Sequence, residues 1–202
     1  VILDTLLSGL LDVPVYLFDP TPRAIEHIKL VKDVIDTKQI PEYNLRCGGG
    51  DLKYWNKILS YNAKSTNIHM KNYGIFTEDR TLKFYKPENS EYVSHSLIDG
   101  NASEEFIEVP VKKMTTIMKE LGHTCIDFIK LDIEGAECDV IYQIFRDKIY
   151  PKFICMKFSI AKNKKIDGMA IANRCLNMIV NQGYDILKCD KLEYSFIRKS
   201  II

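Results

Sequence analysis

The chain has 202 residues, 28 lysines and arginines against 27 acids, and a net charge of +1. That length suits one domain, residues 1–202, with a substantial core, and a balanced charge with lysines spread along the chain argues against a nucleic-acid groove. No apolar run approaches the roughly 20 residues that span a bilayer, and residues 1–11 lack a basic leader and a small-residue cleavage pattern, so a cytoplasmic protein without a membrane span is expected. The six cysteines (Cys47, Cys125, Cys138, Cys155, Cys175 and Cys189) form no C-x-x-C pair and mostly sit in apolar segments. Buried free thiols in a reducing compartment fit that scatter better than zinc ligands or disulfides. Asn101-Ala102-Ser103 matches a glycosylation acceptor, but so short a motif without a secretion signal reads as chance.

In chain order, the aromatic-rich run Val15–Phe18 reads as a strand ending at Asp19-Pro20, with Thr21 before Pro22 as an N-cap before a first-turn proline. Ile25, Ile28, Val31 and Ile35 recur at helical spacing and predict a helix with one face on a core. Cys47-Gly48-Gly49-Gly50 is expected to be irregular, and residues 52–59 to form a short helix carrying Trp55. The glycine run lacks the Gly-Lys-Ser/Thr of a phosphate loop and follows no clear strand, so it reads as a connection. Strands are expected at 67–72, 82–85 and 106–111, with a long polar loop between the last two that contains His95. Residues 114–121 read as a helix stopped by Gly122.

Residues 126–131 form an apolar run that delivers Asp132, Glu134 and Gly135 to a strand end, and Val140, Ile141, Ile144 and Phe145 then mark a helix. A strand at 153–158, a helix ending before Gly183 and a hairpin of 184–188 with 194–198 complete the chain. The alternation predicts an α/β fold: a doubly wound, mostly parallel, Rossmann-like sheet closed by an antiparallel hairpin.

If 15–18 and 128–131 are neighbouring parallel strands, Asp19, Asp132 and Glu134 share the carboxyl edge where open α/β sheets bind ligands. Asp19 directly after a strand could accept both ribose hydroxyls of an adenosine ligand. Local readings stand beside these: Asp19 as an acid opening a turn before proline, and Asp132 and Glu134 as acids favouring the positive end of the following helix, at roughly 0.3–1 kcal/mol each.

Val15-Tyr16-Leu17-Phe18-Asp19-Pro20-Thr21-Pro22, Gly74 with Leu82-Lys83-Phe84-Tyr85, Ile107-Glu108-Val109-Pro110-Val111, and the block from Ile126 through Lys130-Leu131-Asp132-Ile133-Glu134-Gly135-Ala136-Glu137 together resemble the successive motifs of FkbM-type methyltransferases. The resemblance implies the class I fold with S-adenosylmethionine as cofactor, and O-methylation of a hydroxyl on a small polar or sugar-like acceptor. It also implies cofactor contacts from Asp19, Pro20, Asn72, Tyr73, Gly74 and Asp132. Methyl transfer to a hydroxyl needs in-line placement and a base, for which Asp132, Glu134 and His95 are the candidates. For a histidine in so polar a loop, a solvated surface residue is the favoured reading, by about two to one.

Two departures qualify the match. The family's apolar strand running into a Gly-x-Gly loop has no counterpart: residues 1–5 lead directly into a helix-like segment, and Ser8-Gly9 lies too far along it. That loop is expected outside the sequence given. Lys157 stands in a strand where relatives often carry an acid. These departures motivate an alternative, a non-catalytic module used in protein association; a nucleotide-linked oxidoreductase ranks last for want of a tyrosine-lysine arrangement. Asp132 and Glu134 could coordinate Mg²⁺, but without a third identified ligand no metal site is assigned.

Overall fold

A computed structural model describes residues 1–41, 52–87, 102–133, 135–158 and 168–201. It divides into two compact units, 1–74 and 75–202. The first begins with α1 (Ile2–Leu11), β1 (Val15–Phe18) and α2 (Pro22–Thr37), followed by α3 (Leu52–Ser60) and β2 (Ile68–Lys71), which runs parallel to β1 with Val15 opposite Ile68 and Phe18 opposite Lys71. Thr21 caps α2 as the sequence predicts: its hydroxyl accepts the Ala24 N–H at 3.4 Å, and Pro22 occupies the first turn, where a missing N–H costs nothing. One face of α2 (Ile28, Val31, Val34, Ile35) packs with Trp55 and Ile58 of α3 and Ile68 of β2. Ile25 belongs to the same periodic series yet is exposed, outside the buried cluster that Ile28, Val31, Val34 and Ile35 form with α3 and β2.

Two details of this unit follow from close packing. An ideal Cβ on Gly9 would lie 1.8 Å from the Tyr61 carbonyl oxygen, so α1 approaches the backbone after α3 closer than any side chain allows. At the edge of the same core, His27 Nε2 and the Tyr54 hydroxyl stand 2.6 Å apart. Burial lowers the His27 pKa and raises that of Tyr54, which favours the neutral form of both, and one hydrogen bond joins imidazole and hydroxyl.

The second unit begins at Ile75 within the short β3 (Gly74–Ile75), which flanks β5 (Ala102–Lys112); on the other side of β5 lies antiparallel β4 (Arg80–Pro87). The ladder reaches Pro87 opposite Ala102, so both strands extend beyond their apolar cores at 82–85 and 106–111; the polar stretch with His95 lies outside the described residues. Helix α4 (Met114–Leu121) ends at Gly122, whose φ of 70° is the left-handed turn that glycine adopts without a side-chain clash. Next come β6 (Phe128–Leu131), α5 (Glu137–Arg146), β7 (Phe153–Lys157), α6 (Gly168–Asn181), β8 (Tyr184–Asp190) and β9 (Glu193–Arg198). They form a sheet of order β6-β7-β9-β8, parallel at β6–β7 and antiparallel through the closing hairpin. The core contains Leu131, Ile154 and Phe196 from the strands and Val140, Ile141, Ile144 and Ile179 from the helices, and the buried Tyr184 hydroxyl donates to the Pro151 carbonyl at 2.7 Å.

The chain is thus a mixed α/β protein with the predicted terminal hairpin. Its ladders include parallel pairs β1–β2 and β6–β7 and antiparallel pairs β4–β5, β7–β9 and β8–β9, and they fall into three sheets. Each of the strands that end in Asp19 and Asp132 therefore has its own parallel partner. Of the cysteines, Cys175 is buried, Cys138 and Cys155 are half-buried, Cys125 and Cys189 are exposed, and all five are free.

Two outcomes follow. Gly9→Ala should destabilise the protein by about 2 kcal/mol or more in urea unfolding, because the clash at Tyr61 outweighs the roughly 1 kcal/mol that alanine gains over glycine in a helix. The depressed His27 pKa means the unfolded chain binds a proton there first as pH falls. Stability from this site is full above the ordinary imidazole value near 6.5 and is lost below it. Unfolding curves at pH 7.5 and 5 should show that loss in the wild type and a smaller one in His27→Gln.

Candidate active site

The described site residues fall into two groups, one in each unit. In the first, the parallel pairing of β1 with β2 places Asp19 beside residues 71–74. The Asp19 N–H donates to the Lys71 carbonyl at 3.3 Å, continuing the ladder one step past Phe18. Asn72 is exposed, whereas Tyr73 is buried with its ring 5.7 Å from that of Phe18. Asp19 Oδ1 accepts two bonds from Thr21, the N–H at 2.9 Å and the hydroxyl at 2.7 Å. Thr21 in turn caps α2, so strand end, acid and helix start form one hydrogen-bonded unit. Oδ2 takes no hydrogen bond among the described residues.

The turn-opening reading of Asp19 therefore holds: Oδ1 organises the turn through Thr21. A ligand hydroxyl meeting this acid would find its acceptor at Oδ2. A fixed acceptor at the end of a parallel strand, beside exposed Asn72, fits the hydroxyls of an adenosine ligand. Pro20 and Gly74 flank this edge; the buried Tyr73 ring offers packing behind it rather than an open stacking face.

In the second unit, Asp132 follows β6 and stands 30% exposed. Its Oδ2 meets Lys130 Nζ at 3.1 Å and its Oδ1 meets Lys157 Nζ at 3.5 Å. The turn that carries it is held from below by Glu137, which is 1% exposed. Glu137 Oε1 accepts the N–H groups of Ile133 at 2.9 Å and Gly135 at 3.2 Å, and Oε2 lies 3.1 Å from the Gly135 N–H. Gly135 has φ 110°, a conformation that glycine supplies without strain. The carboxylate at the first turn of α5 also suits the positive end of the helix. Sequence reasoning gave Glu137 no role; the signal was an acid at a helix start two residues past a turn glycine, within reach of the turn's N–H groups.

Directly after Glu137, the Cys138 thiol is pulled below its ordinary range by a hydrogen bond with Cys175, and the Cys175 thiol is pushed up by the same bond and by burial. Glu134 and His95, the other candidate bases, lie outside the described residues. Among the described residues no group of three His, Cys, Asp or Glu side chains could hold a metal ion, and no helix is long and apolar enough to cross a membrane.

Fold and site define a mixed α/β protein in which acids close the carboxyl ends of parallel strand pairs. Comparison with known families is specific: residues 15–180 match the Methyltransferase FkbM domain, and the chain belongs to that family. The match begins at the first residue of β1 and includes Asp19, Asp132 and Glu137. Among curated proteins, NIP100 of Saccharomyces cerevisiae is 32% identical over 81 residues, which is 40% of this chain and 8% of that protein. No solved structure matches.

Glu137→Ala removes the acceptor from two backbone N–H groups at a fully buried position, at about 1–3 kcal/mol for each group left unsatisfied. A loss of about 3 kcal/mol in chemical unfolding is expected, with Glu137→Gln, which keeps one acceptor oxygen, losing less.

Proposed function

We propose that the chain is an S-adenosylmethionine-dependent O-methyltransferase acting on a hydroxyl of a small polar or sugar-like acceptor. Family membership supports a methyltransferase in general, and S-adenosylmethionine is the methyl donor such a family implies. The observation that carries the cofactor reading is Asp19, with Oδ1 tied to Thr21 and Oδ2 left as an acceptor at a strand end. In this reading Oδ2 receives the ribose hydroxyls, Pro20 holds the turn, Asn72, Tyr73 and Gly74 border the adenine, and Asp132 contacts the cofactor toward its reactive end. When bound, the cofactor supplies a methyl group already activated on a sulfonium sulfur.

The protein's task is then to align the acceptor oxygen and remove its proton. Asp132, Glu134 and His95 are the candidates for the proton. The Glu137-held turn supports Asp132 in that role, with Lys130 and Lys157 beside its carboxylate. The finer fold we propose is the class I type, a single domain of residues 1–202 with a mostly parallel, doubly wound sheet closed by the β8–β9 hairpin. The two parallel pairs with their following helices support it. Free cysteines, Cys175 among them buried, suit action in the cytoplasm.

Isothermal titration with S-adenosylhomocysteine tests this reading. Asp19→Asn keeps a carbonyl oxygen for Thr21 but replaces Oδ2 with an amide that cannot accept, so binding should weaken roughly tenfold or more, in line with the ~1.5–3 kcal/mol of a hydrogen bond to a charged group. Absence of binding by the wild type, or an Asp19→Asn protein equal to it, would falsify the proposal.

A further inference from the structure

Lys130, Asp132 and Lys157 form a charged row that the proposed chemistry uses only in part. Along β6, Ile129 and Leu131 are buried, as are Ile154 and Met156 of parallel β7. The alternate positions Lys130 and Lys157, with Asp132 following β6, therefore share the opposite face of the pair. Asp132 lies one step beyond the Leu131–Met156 register pair, across from Lys157, the last residue of β7. Both lysines are 46% exposed, with their ammonium groups turned to the same carboxylate at 3.1 and 3.5 Å. Glu193, the register partner of Lys157 on β9, makes no ion pair with it among the described residues.

Two ammonium groups on one carboxylate leave a local excess of one positive charge among these three. They stand at the carboxyl end of a parallel pair, the edge where α/β sheets place ligands. The spacing matters as much as the charge, since two ammoniums that close on the two oxygens of Asp132 are spaced for the oxygens of an incoming anion. The carboxylate of Asp132 is itself the pattern for what they hold. Exposed ion pairs contribute little to stability, roughly 0–1 kcal/mol, so holding the fold together does not account for the arrangement.

We propose that Lys130 and Lys157 form an anion clamp for the acceptor, and that the methylated molecule carries a carboxylate or phosphate group next to its reacting hydroxyl. The proposal rests on the methyltransferase reading above and names its substrate class. The anionic group bridges the two ammoniums beside Asp132 and fixes the orientation of the neighbouring hydroxyl. A neutral sugar lacks that anchor. Lys157, on β7 beside the acid that follows β6, becomes the residue that selects the acceptor's charge.

The test titrates the whole chain with glucose 6-phosphate, glucuronate and glucose, and separately with S-adenosylhomocysteine. At least one anionic sugar should bind tenfold or more tightly than glucose, the phosphate and carboxylate arms showing which group is preferred. Lys130→Met/Lys157→Met should lose that margin, and Lys130→Arg/Lys157→Arg should keep most of it. Equal binding of all three sugars, or a double methionine variant equal to wild type, overturns the clamp. So does a double variant that loses S-adenosylhomocysteine alone, which would assign the lysines to the cofactor's own carboxylate. Clamp behaviour in a wild type that does not bind S-adenosylhomocysteine supports the anion site and defeats the cofactor reading, so the two failures are distinguishable.

Discussion

The buried carboxylate of Glu137 is the constraint on which the turn between β6 and α5 depends. Between β6 and α5 the chain must leave a strand, expose an acid and enter a helix within five residues, which leaves backbone N–H groups without ladder or helix partners. Glu137 supplies the missing acceptors for Ile133 and Gly135 from inside the protein. Desolvating an acid is costly, and the cost is offset here by hydrogen bonds to the charged form and by the helix N-terminus. The consequence for function is geometric: Asp132 is presented on a turn fixed from beneath, so its carboxylate can stay half in solvent without the backbone fraying.

The first unit solves the same problem differently. At the β1–α2 junction the acid itself bends back, and Asp19 Oδ1 takes the Thr21 N–H and hydroxyl while Thr21 caps the helix. One carboxylate thus serves both as a structural acceptor and as an outward-facing one. In the β6–α5 junction those duties are split between two acids, Glu137 buried and Asp132 exposed.

Much of this was legible in the sequence, for identifiable reasons. Thr21-Pro22 announces a helix start through chemistry local to four residues, and Gly122 announces a helix end through backbone sterics. The apolar periodicity of Ile28, Val31 and Ile35 located the helix face, while Ile25 shows the limit of periodicity: it gives direction around a helix and not how far along it the core extends. The acid-tipped strands were readable because short, largely apolar runs end there in an acid followed by helix-start signals. Glu137 was not, since a glutamate in a first helical turn is so often a surface residue favoured by the dipole. Gly9 resisted reading for a similar reason, because its cause is the Tyr61 carbonyl, distant in sequence. The pairing of Lys157 with Asp132 depended on β6–β7 register, which no local pattern encodes.

A crystal structure of the full chain with S-adenosylhomocysteine bound tests the account most directly. The account predicts the ribose hydroxyls within hydrogen-bond distance of Asp19 Oδ2, with Oδ1 still held by Thr21 and the Glu137-supported turn unchanged. Adenosine bound away from the β1–β2 edge, with Asp19 turned to other partners, would contradict it.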